Sequence, residues 1–179
     1  MPEFVPAIPP ADLRRAFGQF ATGVAVVTAR AGELTVGMTI SSFSSVSLDP
    51  PLVLWSLRDN ARSRPVFEEA GAFAISVLSE EQSDIARLFA SGQPDPFRQC
   101  ETTLSSRGLP LISGALAAFE CETHRIHDGG DHRIFIGAVT GVALGDGLPL
   151  LYFASRMSSG IFPPRFPSQD SPSQNKATP

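Results

Sequence analysis

With 179 residues, 42% of them hydrophobic, the chain is long enough for one domain with a sizeable core. Its formal net charge of −4 and the lack of any Lys/Arg run argue against a nucleic-acid partner, which would need a basic patch. No apolar stretch approaches the roughly 20 residues of a membrane span, no signal-peptide pattern opens the chain, and two cysteines, Cys100 and Cys121, suit reduced thiols in a cytoplasmic protein better than a disulfide framework.

Residues 1–10, with four prolines, read as an irregular arm. Leu13, Ala16, Phe17 and Phe20 then fall at i, i+3, i+4 and i+7, one face of a helix that Pro9-Pro10 precede and Gly23 closes. Val24–Ala29 is β-branched and predicts a strand, Ala31-Gly32-Glu33 a short turn, and Leu34–Met38 the returning strand. Leu52–Leu57 is a continuous apolar run between Pro51 and Arg58, which suits a buried strand. Ser63 as cap, Pro65 in the first turn and Gly71 as terminator frame a short helix. Phe73–Leu78 is the next strand. Ser79-Glu80-Glu81-Gln82 has capping-box spacing and starts a helix running to Leu88 or Phe89. Residues 91–109 read as an irregular excursion around Pro94 and Pro96. Ala117–Ile126 and Arg133–Val142 flank a hairpin turn at 127–132, and Leu150–Phe153 is a last strand. Pro, Ser and Gln dominate residues 161–179, which predict a disordered tail. Residues 11–160 therefore form one domain. Its six or seven strands follow each other mainly through hairpins, which predicts an antiparallel barrel with about three helices outside, not a doubly wound sheet.

Three clusters bear on chemistry. Six hydroxyls fall in nine residues, at Thr39, Ser41, Ser42, Ser44, Ser45 and Ser47, between two apolar runs. They either grip an acceptor-rich ligand or make local side chain–backbone turns. Arg58-Asp59-Asn60-Ala61-Arg62-Ser63-Arg64 places three arginines before a helix start, which is either a phosphate cradle or a solvated basic loop. Cys121, Glu122, His124, His127, Asp128, Asp131 and His132 are all potential metal ligands. Strand alternation separates Cys121 from His124 and His124 from His127, so no metal is expected there. No Gly-x-Gly-x-x-Gly, Walker loop or Gly-x-Ser-x-Gly elbow is present.

Four segments recur in a known order: Phe20-Ala21-Thr22-Gly23-Val24; Gly37-x-Thr39-x-x-Ser42-x-x-Ser45-Val46-Ser47-x-x-Pro50-Pro51-Leu52-Val53; Gly130-Asp131-His132-Arg133-Ile134-Phe135-Ile136-Gly137; and Pro149-Leu150-Leu151-Tyr152-Phe153. From about Ala11 to Met157 the chain resembles the short-chain flavin reductase family, the reductase components of two-component flavin-dependent monooxygenases. The resemblance implies a mostly β fold with flanking helices, a six-stranded antiparallel FMN-binding split barrel, generally a homodimer. It implies an NAD(P)H:flavin oxidoreductase that moves hydride from nicotinamide C4 to flavin N5 and supplies reduced flavin to a partner monooxygenase. The flavin is FMN or FAD and the donor NADH or NADPH. By the same resemblance, Thr39, Ile40, Ser41 and Ser42 run along the flavin ring and ribityl chain, with Ser45 more peripheral. Ser56, Leu57, Ser63 and an arginine, Arg58 or Arg64, hold the ribityl and phosphate end. Asp131 and His132 lie at the nicotinamide end, His132 orienting it. Tyr152 and Arg156 approach the flavin or a dimer partner, although Ser155–Gly160 departs from the family's usual Gly-Gly and Tyr. Phe89 and Phe97 border an excursion able to cover a flavin, with core packing the plainer role for Phe89. Two other readings share the fold: a split-barrel oxidase of the pyridoxamine-phosphate type, and a non-enzymatic flavin- or haem-binding module.

Overall fold

The computed structural model describes residues 9–159. The tail expected over 161–179, and the expected arm apart from Pro9 and Pro10, lie outside the described residues. The chain runs α1 (Pro10–Phe17), β1 (Thr22–Gly23), β2 (Ala25–Ala31), β3 (Leu34–Ile40), β4 (Ser44–Leu48), β5 (Pro51–Arg58), α2 (Arg64–Glu69) and β6 (Ala72–Val77). A 3-10 turn (Glu80–Gln82) leads into α3 (Ser83–Ala90), and a second (Pro96–Gln99) precedes β7 (Thr102–Leu104) and β8 (Pro110–Ile112). β9 (Ala117–Asp128), β10 (His132–Leu144), β11 (Leu150–Phe153) and β12 (Arg156–Ser159) complete it.

The main sheet has seven antiparallel strands in the order β3-β2-β6-β9-β10-β5-β4. The mostly β fold with flanking helices is as expected, with seven strands in this sheet, and among the described residues no ladder closes it: β3 and β4 are its edges. The sheet nevertheless curls. Side chains of β2, β3, β5, β6, β9 and β10 meet in one interior cluster with Phe67 of α2. Trp55 is its centre, stacked on Phe135 at 4.5 Å and meeting Phe67 and Phe73 edge-on. Gly137 makes room for it, since a Cβ there would lie 2.3 Å from Phe73 Cζ. A second cluster on the outer face joins Val24, Val26, Leu78, Ala86, Phe89, Ile112 and Leu150. β2 therefore carries apolar residues to both faces, which is why Ala25–Ala29 is buried throughout.

Several boundaries differ from the sequence reading. α1 ends at Phe17, not Phe20, and Thr22–Gly23 becomes a strand paired with Leu151–Tyr152. The expected helical stripe is not buried by the chain itself: no residue of α1 is buried, and Phe17 and Phe20 are exposed. The hydroxyl segment is not a loop throughout, because Ser44–Leu48 pairs with β5 as an edge strand. Ser63 precedes α2 but makes no side-chain cap bond, and α2 is only six residues long. The excursion at 91–109 holds a small hairpin with β8, anchored by Thr28 Oγ1 donating to the Pro110 carbonyl at 2.6 Å and Ile112 N donating to Ser76 Oγ at 3.0 Å. β12 adds a strand beyond the expected last one.

Candidate functional site

β3 is first and β5 sixth in the sheet order, yet both line one cleft of about 330 Å³. The curl brings them together, and the Ser41–Phe43 turn spans the gap. Ser42 fastens this seam. Its Oγ accepts from Ser56 N at 3.0 Å and lies 3.4 Å from the Ser56 carbonyl, joining the end of β3 to β5 where no strand ladder runs. Alternation along β5 sends Val53, Trp55 and Leu57 into the core and leaves Ser56 and Arg58 at the cleft. His132 opens β10 directly opposite Arg58 and completes the wall.

The cleft gathers Thr39, Ile40, Ser41, Ser42, Ser56, Arg58 and His132. Their side chains do different things. Thr39 Oγ1 donates to the Ala86 carbonyl of α3 at 2.7 Å, so its hydroxyl is already engaged. Ile40 packs into the core, leaving its backbone to the cleft. Leu57 is fully buried in the core and its side chain is not among those that line the cleft. Ser45 sits exposed on edge strand β4 opposite Val53, away from this cleft. Met38, Asn60 and Ala61 also line it. Asn60 and Ala61 fall inside the singled-out basic segment, whereas Met38 carries no polar signal that would mark it.

The arginines separate by their partners. Arg64 contacts Asp59 at 3.4 Å and Glu68 at 2.8 Å, and its pKa is raised, chiefly by the hydrogen bond to Glu68. Arg133 reaches Asp59 at 3.5 Å and Glu68 at 3.8 Å and also pairs with Asp128. This network of five charges ties the 59–64 loop and α2 to the β9–β10 hairpin. Arg64 is engaged in it and is not among the residues that line the cleft. Arg58 remains, exposed and facing the cleft, and Arg62 borders a second cleft with Ser63.

His132 is oriented by its neighbour: Asp131 Oδ1 lies 2.6 Å from Nδ1. The hydrogen bond and charge of His132 hold the Asp131 carboxyl below the usual carboxylate range, with a smaller contribution from Arg58. With Nδ1 held, Nε2 is the nitrogen left for a ligand. Tyr152 and Arg156 are placed elsewhere. Tyr152 lines a groove of about 290 Å³ with Phe17, Phe20, Thr22 and Ser41, and Arg156 pairs with Phe153 across β11–β12. Ser41 is the residue shared by that groove and the main cleft. Among the described residues no group of three or more His, Cys, Asp or Glu is arranged to hold a metal ion, and no helix is long and apolar enough to cross a membrane.

The serine hydroxyls of the 41–42 turn and β5, with the Arg58 guanidinium and the oriented His132 imidazole side by side across β5 and β10, line one polar cleft. It fits a flat, acceptor-bearing ring with an anionic tail. The comparisons point the same way. A family model described as a flavin reductase like domain matches residues 17–160. An FMN reductase (NADH) of Agrobacterium fabrum is 47% identical over 142 residues, covering 79% of this chain and 80% of its own length. The reductase subunit of a flavin-dependent monooxygenase from Rhodococcus jostii is 37% identical over 158 residues, covering 88% and 80%. A solved NADH:FAD oxidoreductase of Streptomyces globisporus, in complex with NAD and FAD fragments, superposes with a TM-score of 0.80 at 38% identity, covering 93% of this chain and all of that one.

Proposed function

The chain belongs to the flavin reductase like domain family, and from that premise we propose that it is an NAD(P)H-dependent flavin reductase supplying reduced flavin to a partner monooxygenase. When bound, the flavin and the nicotinamide would supply the chemistry, a hydride transfer from nicotinamide C4 to flavin N5. The chain's own residues contribute placement. Backbone groups of Thr39–Ser42 face the flavin ring, Ser42 and Ser56 fix the width of the slot, and Arg58 meets the anionic tail. His132, held through Nδ1 by Asp131, presents Nε2 toward the nicotinamide and orients it. Asp131 is a positioning residue and His132 a binding residue. The observation that carries this reading is the single cleft in which Ser42, Ser56, Arg58 and His132 converge from two strands and a turn.

The apolar residues left uncovered on and after α1, Phe17 and Phe20, support a homodimer in which a second copy covers that end of the site next to Ser41 and Tyr152. Two free thiols, Cys100 and Cys121, support a cytoplasmic location. The test of function is NADH and NADPH oxidation in air by purified protein with and without added FMN or FAD. Oxidation that depends on added flavin is the expected result. A protein that binds flavin but turns over neither nicotinamide refutes the reductase.

A further inference from the structure

The charges that tie the 59–64 loop to the β9–β10 hairpin stand behind the cleft, not in it: none of Asp59, Arg64, Glu68, Asp128 and Arg133 lines it. Arg133 pairs with Leu57 across β5–β10, one residue beyond the His132–Arg58 pair, so its side chain leaves the sheet on the face away from His132. There it meets Asp59 and Glu68, its Nε buried and without a hydrogen bond among the described residues. Asp59 is where this network reaches the cleft. It follows Arg58 in a turn closed by Ala61 N donating to the Arg58 carbonyl at 3.0 Å. Its own N–H donates to the Asp131 carbonyl, also at 3.0 Å, and Asp131 is the residue that holds His132 Nδ1. Its Oδ1 is shared, 3.4 Å from Arg64 Nη1 and 3.5 Å from Arg133 Nε. Arg64 Nη1 also donates to the Asp59 carbonyl at 3.3 Å.

We propose that Asp59 is a positioning residue for the reductase reaction, its carboxylate clamped by Arg133 and Arg64 so that the Arg58 turn and the Asp131–His132 corner keep one spacing. The proposal rests on the flavin reductase reading and extends it. A backbone hydrogen bond joins the two corners where the β5–β10 ladder ends. Alone, a bond at a strand end is open to competition from water. The carboxylate adds a second tie from the same residue to β10, through Arg133. Because Arg133 Nε is buried, loss of the Asp59 charge leaves that cation short of a partner where water does not replace it. The charge therefore fixes where the Asp59 backbone sits. Through that backbone it sets where Arg58 meets an anionic tail and where His132 Nε2 points. Glu68, 2.8 Å from Arg64 Nε, ties α2 to the same point. Asp59 does not line the cleft, so it acts through Arg58 and His132 and not by contact.

The test is a pair of mutant cycles on the full-length protein. FMN Kd is read by quenching of flavin fluorescence, and NADH KM and kcat by steady-state oxidation at saturating FMN, in the wild type, Asp59→Asn and Arg133→Gln. A partly exposed ion pair corresponds to up to about fivefold in an equilibrium constant. The expected result is a rise of about three- to fivefold in both FMN Kd and NADH KM in each variant, with kcat within about twofold of wild type. The two rises have different routes. In an Arg58→Ala background Asp59→Asn adds nothing further to FMN Kd, and in a His132→Ala background it adds nothing further to NADH KM. Arg87→Gln, which breaks the exposed ion pair with Asp84 on α3, leaves both constants unchanged. Should one variant fail to fold, the other decides, since each removes one side of the same contact. Rises that persist in full in the Arg58→Ala and His132→Ala backgrounds belong to a general loosening of the fold and overturn the proposal. So do wild-type values of both constants in Asp59→Asn and Arg133→Gln. Either result leaves the reductase intact. A wild type that binds flavin and oxidises neither nicotinamide is the separate result that removes the underlying reading and this proposal with it.

Discussion

Replacing Ser42 with alanine removes a side chain that fastens the end of β3 to β5 across the open seam of the sheet. Its Oγ accepts from Ser56 N at 3.0 Å, and Ser56 lines the cleft. Truncation leaves that N–H without its protein partner. A fully buried orphan costs about 1–3 kcal/mol, but both residues are only partly buried and water can enter the cleft, so about 1 kcal/mol is the expected loss. For a protein of this size that corresponds to a fall in Tm of roughly 2–4 °C. The cleft wall loosens by the same contact, and FMN affinity falls by about fivefold, the equivalent of ~1 kcal/mol. Ser42→Thr keeps the hydroxyl and restores most of both. Thermal unfolding by circular dichroism and a flavin titration measure the two effects on the same samples. If Ser42→Ala leaves Tm and FMN affinity both unchanged, the seam is not held by this hydroxyl and the slot is fixed by something else.

Other consequences are open to direct test. Gly137→Ala sets a Cβ 2.3 Å from Phe73 Cζ and 3.0 Å from Cys121 Cβ, inside the core around Trp55, and should destabilise by about 1–3 kcal/mol in urea unfolding; an unchanged midpoint contradicts the packing described. Burial pushes the Glu120 carboxyl up, but bonds from Ser105, Ser106 and Arg107 N and the charge of Arg107 outweigh it and hold the pKa below its ordinary value. Its contribution is therefore present above the unfolded carboxylate pKa of about 4.3 and is lost as pH falls through the lower folded value. Glu120→Gln should flatten the stability profile between neutral pH and acid, and a parallel profile would refute the assignment. Burial, with the charge of Glu120 adding to it, pushes the Cys121 thiol up to about 12. Iodoacetamide at mildly alkaline pH should leave Cys121 unmodified in the native protein and alkylate it in denaturant; mass spectrometry of the native sample finding it modified would count against its burial.

Much of the architecture is written locally in the chain. β-Branched runs mark β2, and the continuous apolar run Leu52–Leu57 marks β5. The capping box at Ser79 is present in the fold, with Ser79 N donating to Gln82 Oε1 at 3.0 Å, and α3 follows it. What local pattern does not carry is closure and partnership. The β7–β8 hairpin depends on Thr28 and Ser76, which lie 82 and 36 residues from their partners. The seventh strand arises because Ser44–Leu48 finds an edge of β5, a choice its hydroxyl-rich sequence does not announce. In the site, alternation along β5 separates the core-facing side chain of Leu57 from the cleft-lining Ser56 and Arg58. Arg64's engagement was legible in part, since Glu68 is its i+4 neighbour, whereas the extension of that network through Arg133 and Asp128, far along the chain, was not. The exposed stripe of α1 looks like core in the sequence; a stripe facing a second copy has the same pattern as one facing the chain's own interior.

The most direct measurement mixes the flavin-loaded protein with NADH without oxygen and follows the flavin absorbance, in the wild type and in His132→Ala. The account predicts bleaching in the wild type and bleaching slowed by at least about tenfold in His132→Ala, with flavin affinity retained, because the imidazole places the nicotinamide and does not hold the flavin. Flavin that stays bound and oxidised with both NADH and NADPH would contradict the account.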